Sequence, residues 1–203
     1  WQYLFAKWTL KSARYVVFVS ESVQAHFLKQ VPKLSHSRVL MNGVDDGVFY
    51  PPQPDMRQNL CAEIGLSHEK PICLFVGRFV RHKGIHILKA LAEKNPGIQW
   101  IFAGWGAEDP ENWKLNNVKV FRKQSASQLR VLYQCADLLL LPSIAEGFPV
   151  VVQEAFSCGT PVLTSHAVAL CDRKVTPYLF TASVEGPDVV SQWSLKMGEI
   201  LAN

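Results

Sequence analysis

A basic segment between two glycines is the first part of the chain whose residue types could do chemistry. Gly77-Arg78-Phe79-Val80-Arg81-His82-Lys83-Gly84 follows an apolar strand pattern and opens a helix. Glycine lets backbone approach a ligand closely, and a helix N-terminus favours negative charge. Arg78 can bind a diphosphate through two hydrogen bonds and Lys83 adds a point charge, so the segment predicts a phosphate site. The alternative is a solvated basic loop, because the segment matches neither a Gly-x-Gly-x-x-Gly fingerprint nor a P-loop.

Two glutamates form the second candidate. Glu146 lies in the loop after an apolar run, and Glu154 falls in the second turn of the helix that follows. We expect both carboxylates to face one crevice, where a carboxylate accepts hydrogen bonds from vicinal hydroxyls of a sugar. The N–H groups of Val150 and Val151 at the start of that helix could hold a phosphate oxygen. The alternative for a glutamate at such a place is that it complements the helix dipole.

The elements that must position these residues are apolar strands alternating with helices. Continuous apolar runs are typical of parallel strands that are covered on both faces. Helix signals lie between them, with Asp55 as an N-cap, Gly65 as a stop, and Ser125 with Gln128 as a capping box. The sequence therefore predicts an α/β domain with a doubly wound, Rossmann-like parallel sheet, which binds ligands at the carboxyl ends of its strands. The predicted strands cover residues 15–19, 39–41, 72–76, 99–103, 118–121, 138–141 and 161–164.

Composition narrows the class of protein and of partner. Of the 203 residues, 48% are hydrophobic and 19% charged, which is enough apolar material for a packed core. The net charge of +4 is scattered along the chain and suits a small phosphate-bearing ligand, whereas nothing indicates a nucleic-acid partner. The five cysteines include no Cys-x-x-Cys pair, which argues against a zinc site and a disulfide framework and is typical of a cytoplasmic protein.

The opening segment, residues 1–14, mixes aromatic and basic side chains. One hypothesis is a helix that lies on a membrane surface, which would give the protein a peripheral contact with the inner face of the membrane. The alternative is that this segment packs on its own domain or on another one. No apolar run in the sequence is long enough to span a bilayer.

Seven short stretches follow one another in an order that a known family shares. They are Ser-Ala-Arg-Tyr-Val-Val-Phe-Val-Ser-Glu (12–21), Met-Asn-Gly-Val-Asp (41–45), Phe-Val-Gly-Arg (75–78) with Lys83-Gly84, Ala-Gly-Trp-Gly (103–106), Cys-Ala-Asp-Leu-Leu-Leu-Leu-Pro-Ser (135–143), Glu-Gly-Phe-Pro (146–149) and Glu-Ala-Phe-Ser-Cys-Gly-Thr-Pro-Val (154–162). The two glutamates have seven residues between them, as in a Glu-x7-Glu signature. In these stretches the chain resembles the retaining glycosyltransferases of family four, and specifically the C-terminal half of their two-domain GT-B fold.

The resemblance implies a donor site for a nucleoside-diphosphate sugar, with UDP or GDP as the nucleotide. Arg78 and Lys83 would bind the diphosphate and stabilise the charge of the departing nucleotide, with no metal and no cofactor. Glu154 would hold the ribose hydroxyls. Glu146 would orient the donor sugar, so that Glu146, Arg78 and Lys83 are the expected catalytic residues. The other expected substrate-binding residues are Gly77, Gly104, Arg122 and Lys123 (whose backbone would border the base), Phe148, Val150 and Val151.

The resemblance also implies a domain organisation. Residues 1–38 would be the closing strand and helix of a truncated N-terminal domain, residues 39–54 an interdomain linker, and residues 55–203 the nucleotide-sugar-binding domain. An acceptor glycan or lipid would bind through the N-terminal half, so the fragment alone is expected to be inactive. After Thr164 the family continues with a glycine pair and Pro-Glu, whereas residues 165–174 here contain no glycine. We expect a stretch to be missing at that point; the alternative is a different mode of donor binding.

Three functions are compatible with these observations. The first is a hexosyltransferase-type enzyme that uses a nucleoside-diphosphate sugar. The second is a non-catalytic module of the same fold that binds a nucleotide or a glycan, which the missing glycine pair favours. The third is an α/β dehydrogenase domain, for which the sequence has no dinucleotide fingerprint.

Overall fold

A computed structural model of the chain describes residues 2–32, 34, 36–147, 149–171 and 173–202. Its strands are β1 (Val16–Phe18), β2 (Ser37–Val39), β3 (Ile72–Arg78), β4 (Gln99–Trp105), β5 (Val118–Phe121), β6 (Leu138–Leu141), β7 (Val162–Ser165) and β8 (Phe180–Ala182). Its α-helices are α1 (Gln2–Ser12), α2 (Glu21–Gln30), α3 (Met56–Glu63), α4 (Ile85–Lys94), α5 (Ala126–Cys135), α6 (Val150–Ser157), α7 (His166–Ala169) and α8 (Val189–Leu201).

A parallel sheet with the strand order β5-β4-β3-β6-β7-β8 forms the centre of the molecule. Residues 72–76 of β3 and all of β6 are buried, because helices cover the sheet. Helix α4 packs against α8, and α3 packs against α5. Burial of each Leu or Ile side chain in these strands contributes roughly 1.5–3 kcal/mol. The predicted Rossmann-like parallel α/β architecture is confirmed.

The order of the strands creates a switch point between β3 and β6. From β3 the chain proceeds outward to β4 and then to β5, after which α5 returns it to β6 on the other side of β3. The connections that leave β3 and β6 therefore diverge to opposite sides. In open α/β sheets ligands bind in the crevice that opens at such a point, outside the carboxyl ends of the strands.

Most of the predicted strands agree with the structure, and the exceptions have physical reasons. The strand predicted over residues 39–41 is wrong by two residues, because Ser37–Val39 pairs in register with Val16–Phe18. Strand β8 was not predicted. It is a three-residue edge strand whose Phe180 side chain is exposed, so it lacks the apolar run of a buried strand.

Two of the three capping predictions at the helix boundaries are correct and one is wrong. Gly65 follows the end of α3 with the predicted left-handed backbone, at a φ of 67°. Ser125 and Gln128 form the predicted capping box at the start of α5, with both reciprocal hydrogen bonds. Asp55 precedes α3 as predicted, but it has a left-handed backbone with φ of 65° and its side chain makes no capping bond. An N-cap needs an extended backbone to aim its side chain at the first turn, so Asp55 does not cap this helix.

The predicted linker, residues 39–54, packs closely on α5. The ring of Phe49 lies 6.0 Å from that of Tyr133 at an interplanar angle of 72°. The Gln134 amide donates to the carbonyl oxygen of Tyr50 at 2.7 Å, and the Arg130 guanidinium lies 4.5 Å from the centre of the Tyr50 ring. These contacts hold the segment on the helix, while the predicted domain boundaries stay a prediction.

Among the described side chains of the opening helix α1, those of Phe5 and Trp8 are exposed. Among the described residues no helix has the length and apolar character needed to cross a bilayer. Contact of α1 with a membrane surface stays a prediction.

Candidate functional site

The loops that follow β3 and β6 meet at the switch point. A single 3₁₀ turn, Arg81–Lys83, ends at Gly84, whose φ of 76° starts α4. A Cβ atom on Gly84 would lie 2.2 Å from the carbonyl oxygen of Pro142, so only glycine allows the two loops to approach this closely. The Ile144 N–H donates to the carbonyl oxygen of His82 at 2.9 Å and fixes the contact.

An ion pair between the same loops joins the two segments that the sequence singled out. The Lys83 Nζ donates to the Glu146 Oε1 at 2.5 Å, and the two side chains are 19% and 11% exposed. Two charges that are largely removed from water need each other as partners. An entering phosphate group can share or replace the carboxylate, because ammonium binds phosphate with charge-assisted hydrogen bonds. The structure thus places a cation and an anion at the switch point, where open α/β sheets bind ligands.

The end of β7 is tied to the loop after β6 by two buried hydroxyl groups. Ser165 Oγ donates to the carbonyl oxygen of Ser143 at 2.6 Å, and Thr164 Oγ1 donates to that of Leu141 at 2.9 Å. Ser165 also caps the short helix α7 by accepting from the Val168 N–H at 3.3 Å. Where the resembled family has its glycine pair, this chain therefore passes directly from a strand into a capped helix.

Glu154 is hydrogen-bonded to a tyrosine of the neighbouring helix. The hydroxyl of Tyr133 donates to Glu154 Oε2 at 2.7 Å and joins α5 to α6. Burial raises the pKa of the Glu154 carboxyl, and the hydrogen bond from Tyr133 partly opposes this by stabilising the charged form. Burial, and then the charge of Glu154, raise the pKa of the Tyr133 hydroxyl, which stays protonated as the donor. Among the described residues no hydrogen bond links Glu154 to Glu146.

The predicted residues at the ends of β3 and β4 are neighbours. Gly77 is the register partner of Gly104, and Arg78 is that of Trp105. A Cβ atom on Gly104 would lie 1.9 Å from the Gly77 carbonyl oxygen, so the strand ends need glycine to stay in register. Arg78 is exposed and makes no ion pair with any described residue, which leaves its guanidinium available to a ligand. Trp105, which was not among the predicted site residues, is 67% exposed beside it.

The predicted base-binding residues follow β5. The guanidinium of Arg122 is taken up by acidic partners, with a hydrogen bond to Asp109 and another of 2.8 Å to Glu111. Lys123 has a left-handed backbone with φ of 53° and an exposed side chain. The structure therefore leaves the backbone of this turn, rather than the Arg122 side chain, as the part that could border a base.

The remaining predicted residues lie at or before the start of α6. Val150 and Val151 begin the helix, and their N–H groups make no backbone hydrogen bond to another described residue. Such N–H groups at a helix start favour an anion. Phe148 lies outside the described residues. In the described ranges no group of three or more His, Cys, Asp or Glu side chains could hold a metal ion.

Comparison with known proteins shows to which family the chain belongs. Residues 56–189 match the family described as glycosyl transferases group 1. The chain belongs to this family. The match covers the main sheet from α3 to the start of α8, and the prediction of a GT-B type glycosyltransferase domain is confirmed.

The chain spans about half the length of the curated relatives that it matches. D-inositol 3-phosphate glycosyltransferase of Mycolicibacterium smegmatis is 32% identical over 199 residues, which is 91% of this chain and 45% of that protein. The solved structure of sucrose-phosphate synthase from Thermosynechococcus elongatus is similar to this chain with a TM-score of 0.83 and 27% sequence identity. The match covers 98% of this chain and 52% of the synthase chain. The Anabaena protein HepE, solved in complex with UDP and glucose, has a similar fold, with a TM-score of 0.74 at 21% sequence identity. The match covers 100% of this chain and 62% of the HepE chain.

The residues predicted from the sequence leave out Tyr133, Ser143 and Ser165, in addition to Trp105. Tyr133 occupies an apolar position of α5, so the helical pattern marks it as a core residue and gives no sign of its bond to Glu154. Ser143 and Ser165 are buried at the ends of β6 and β7. The Ser143 hydroxyl has no hydrogen-bond partner among the described residues. Their place after consecutive apolar strands was the available signal.

Proposed function

We propose that this chain is the donor-binding domain of a glycosyltransferase that uses a nucleoside-diphosphate sugar and retains the anomeric configuration of the transferred sugar. The observation that supports it most strongly is the ion pair of Lys83 and Glu146 between the loops after β3 and β6. A ligand crevice is expected at this switch point, and a largely buried ammonium group is suited to a diphosphate.

The diphosphate would be held by positive charge and by backbone N–H groups. Lys83 would transfer its contact from Glu146 to a phosphate oxygen, and the exposed Arg78 would bind a second oxygen. The N–H groups of Val150 and Val151 would add partial positive charge from the start of α6. As the bond to the sugar breaks, negative charge grows on the departing nucleoside diphosphate, and these groups would stabilise it without a metal or cofactor.

The two glutamates would contact the sugar parts of the donor. Once Lys83 turns to the phosphate, Glu146 is an acceptor beside the bond that breaks, and it would orient the hydroxyls of the transferred sugar. Glu154 would accept hydrogen bonds from the ribose. The base would lie toward the end of β5, against the backbone of Arg122 and Lys123, with Gly77, Gly104 and Phe148 completing the donor site.

The nucleotide that we propose is UDP, since the similarly folded HepE was solved with UDP and glucose. The acceptor would be a glycan or a lipid, bound through the half of a two-domain enzyme that this chain does not include. The chain spans about half the length of the relatives that it matches. Transfer of the sugar would therefore need both halves, and the fragment would bind the donor without transferring it.

A second function, a non-catalytic module that binds a nucleotide or glycan, is favoured by one observation. Strand β7 leads directly into α7 with no glycine between Ser165 and Lys174, so side chains occupy a place where backbone would approach a phosphate. The two functions differ in turnover. Release of nucleoside diphosphate from the sugar nucleotide by the two-domain protein would support the enzyme, and binding without release would support the module.

Calorimetric titration of the fragment with UDP, GDP, ADP and UMP tests the donor site. We expect at least one diphosphate to bind in the range of about 10 µM to 1 mM, and UMP to bind more weakly because it lacks the second phosphate. If none of the three diphosphates binds at a concentration of about 5 mM, the donor-site proposal is wrong.

A further inference from the structure

We infer that Tyr133 is a positioning residue that fixes the Glu154 carboxylate for the donor ribose. The inference rests on the proposed function, in which Glu154 binds ribose, and it adds the group that holds Glu154 in place. The hydroxyl of Tyr133 lies 2.7 Å from Glu154 Oε2, across the contact between α5 and α6.

Tyr133 itself is held from several sides, so its hydroxyl has a fixed position. The residue is fully buried. Its ring packs edge-on against Phe49, with ring centres 6.0 Å apart. Its carbonyl oxygen accepts a hydrogen bond of 2.8 Å from Thr160 Oγ1, which ties α5 to the segment between α6 and β7. A donor with this little freedom selects one orientation of the side chain that accepts from it.

Glu154, by contrast, has a flexible side chain whose orientation needs an external restraint. The bond from Tyr133 occupies Oε2 and leaves Oε1 without a hydrogen bond to any described residue. An ionised carboxylate accepts at both oxygens, so the Oε1 atom stays available for a ribose hydroxyl. Burial favours the protonated form of this carboxyl, and the hydrogen bond from Tyr133 works in the opposite direction. Tyr133 therefore preserves both the direction and the charge of the acceptor.

If Tyr133 positions Glu154, removing its hydroxyl should reduce the preference of the protein for a ribose nucleotide over a 2′-deoxyribose nucleotide. The diphosphate that binds most tightly, among UDP, GDP and ADP, is titrated in parallel with its 2′-deoxy form, which lacks one ribose hydroxyl. We expect the wild-type fragment to prefer the ribose form by about tenfold or more, the typical value of a hydrogen bond to a charged group. Tyr133→Phe removes one oxygen atom. It is expected to reduce the preference to below about threefold while affinity for the 2′-deoxy ligand stays within about twofold.

Two variants make the experiment specific. Tyr178→Phe removes a hydroxyl from a tyrosine that is 75% exposed and is expected to leave the preference unchanged. Glu154→Asp keeps the carboxylate but withdraws it by one methylene from both the Tyr133 hydroxyl and the ribose, so its expected loss of the preference checks that Glu154 binds the ribose.

The outcomes separate the inference from the function on which it rests. A wild-type preference that survives in Tyr133→Phe contradicts the positioning role, and a fall in melting temperature alone would then show a purely structural one. Loss of the preference in Glu154→Gln with no loss in Tyr133→Phe also contradicts it. Absence of any diphosphate binding by the wild-type fragment overturns the proposed function, and this inference with it.

Discussion

The Lys83 Nζ lies 2.5 Å from Glu146 Oε1, although the two residues are 63 positions apart in the chain. Lys83 follows β3 and Glu146 follows β6. Between these two strands the order in which the chain adds strands to the sheet reverses. In this arrangement the site neutralises itself: the cation that would bind the donor diphosphate is paired with the anion that would contact the donor sugar. A diphosphate has to compete with Glu146 for Lys83, and the first prediction depends on this competition.

Glu146→Gln is expected to strengthen the binding of a nucleoside diphosphate that carries no sugar. The change removes the anion that competes for Lys83 and keeps the shape of the side chain, so affinity for UDP should rise roughly threefold to tenfold. Turnover of the sugar nucleotide by the two-domain protein should fall. The matched control is Glu93→Gln, which breaks an exposed Lys–Glu pair on α4 with an N···O distance of 3.7 Å. Weaker UDP binding in Glu146→Gln would be evidence that Glu146 contacts the nucleotide itself.

Gly84→Ala is expected to destabilise the fold by at least about 2 kcal/mol, because left-handed backbone is unfavourable for alanine and the new Cβ would collide with the Pro142 backbone. Gly97→Ala is the control, since a Cβ atom there meets nothing within 4 Å and its backbone is not left-handed. That variant should stay within about 0.5 kcal/mol of the wild type. Urea unfolding of both proteins gives the comparison. Equal stability would mean that the two loops do not touch as described.

The cysteine side chains are expected to resist thiol reagents in the folded protein. The five cysteines are buried and none is in a disulfide. Burial raises the pKa of the Cys158 thiol to about 11 and those of Cys73 and Cys135 still further, so little of the reactive thiolate form is present at neutral pH. A disulfide reagent such as DTNB should react slowly at pH 7 and detect five thiols after unfolding in urea. Rapid reaction of several thiols in the native protein would contradict this packing.

Much of the fold could be predicted because β3, β4 and β6 are continuous apolar runs, and such runs are typical of buried parallel strands. The same rule predicted where Lys83 and Glu146 lie, since both follow predicted strands and ligands bind at strand ends. That these two residues pair could not be predicted, because the pairing depends on the order of the strands in the sheet, and the apolar pattern does not give this order.

The parts that could not be predicted depend on backbone conformation or on exposed edges. Asp55 has the residue type of an N-cap, yet its left-handed backbone prevents the capping bond. Strand β8 pairs only with β7 in the described sheet, so it shows no run of buried residues. The bond between Tyr133 and Glu154 joins an apolar position of one helix to a polar position of the next, and neither periodicity nor spacing indicates such a pair.

The central claim, that the pair at the switch point is a diphosphate site, is tested most directly by Lys83→Ala. Affinities of wild type and variant for UDP and UMP are compared by calorimetry, with Lys89→Ala as the control because Lys89 is an exposed lysine of α4. We expect Lys83→Ala to weaken UDP binding by about tenfold or more and UMP binding by less than about threefold, since Lys83 makes a charge-assisted contact with the diphosphate. Lys89→Ala should change neither affinity. Equal losses for UDP and UMP, or no loss for UDP, would contradict the account.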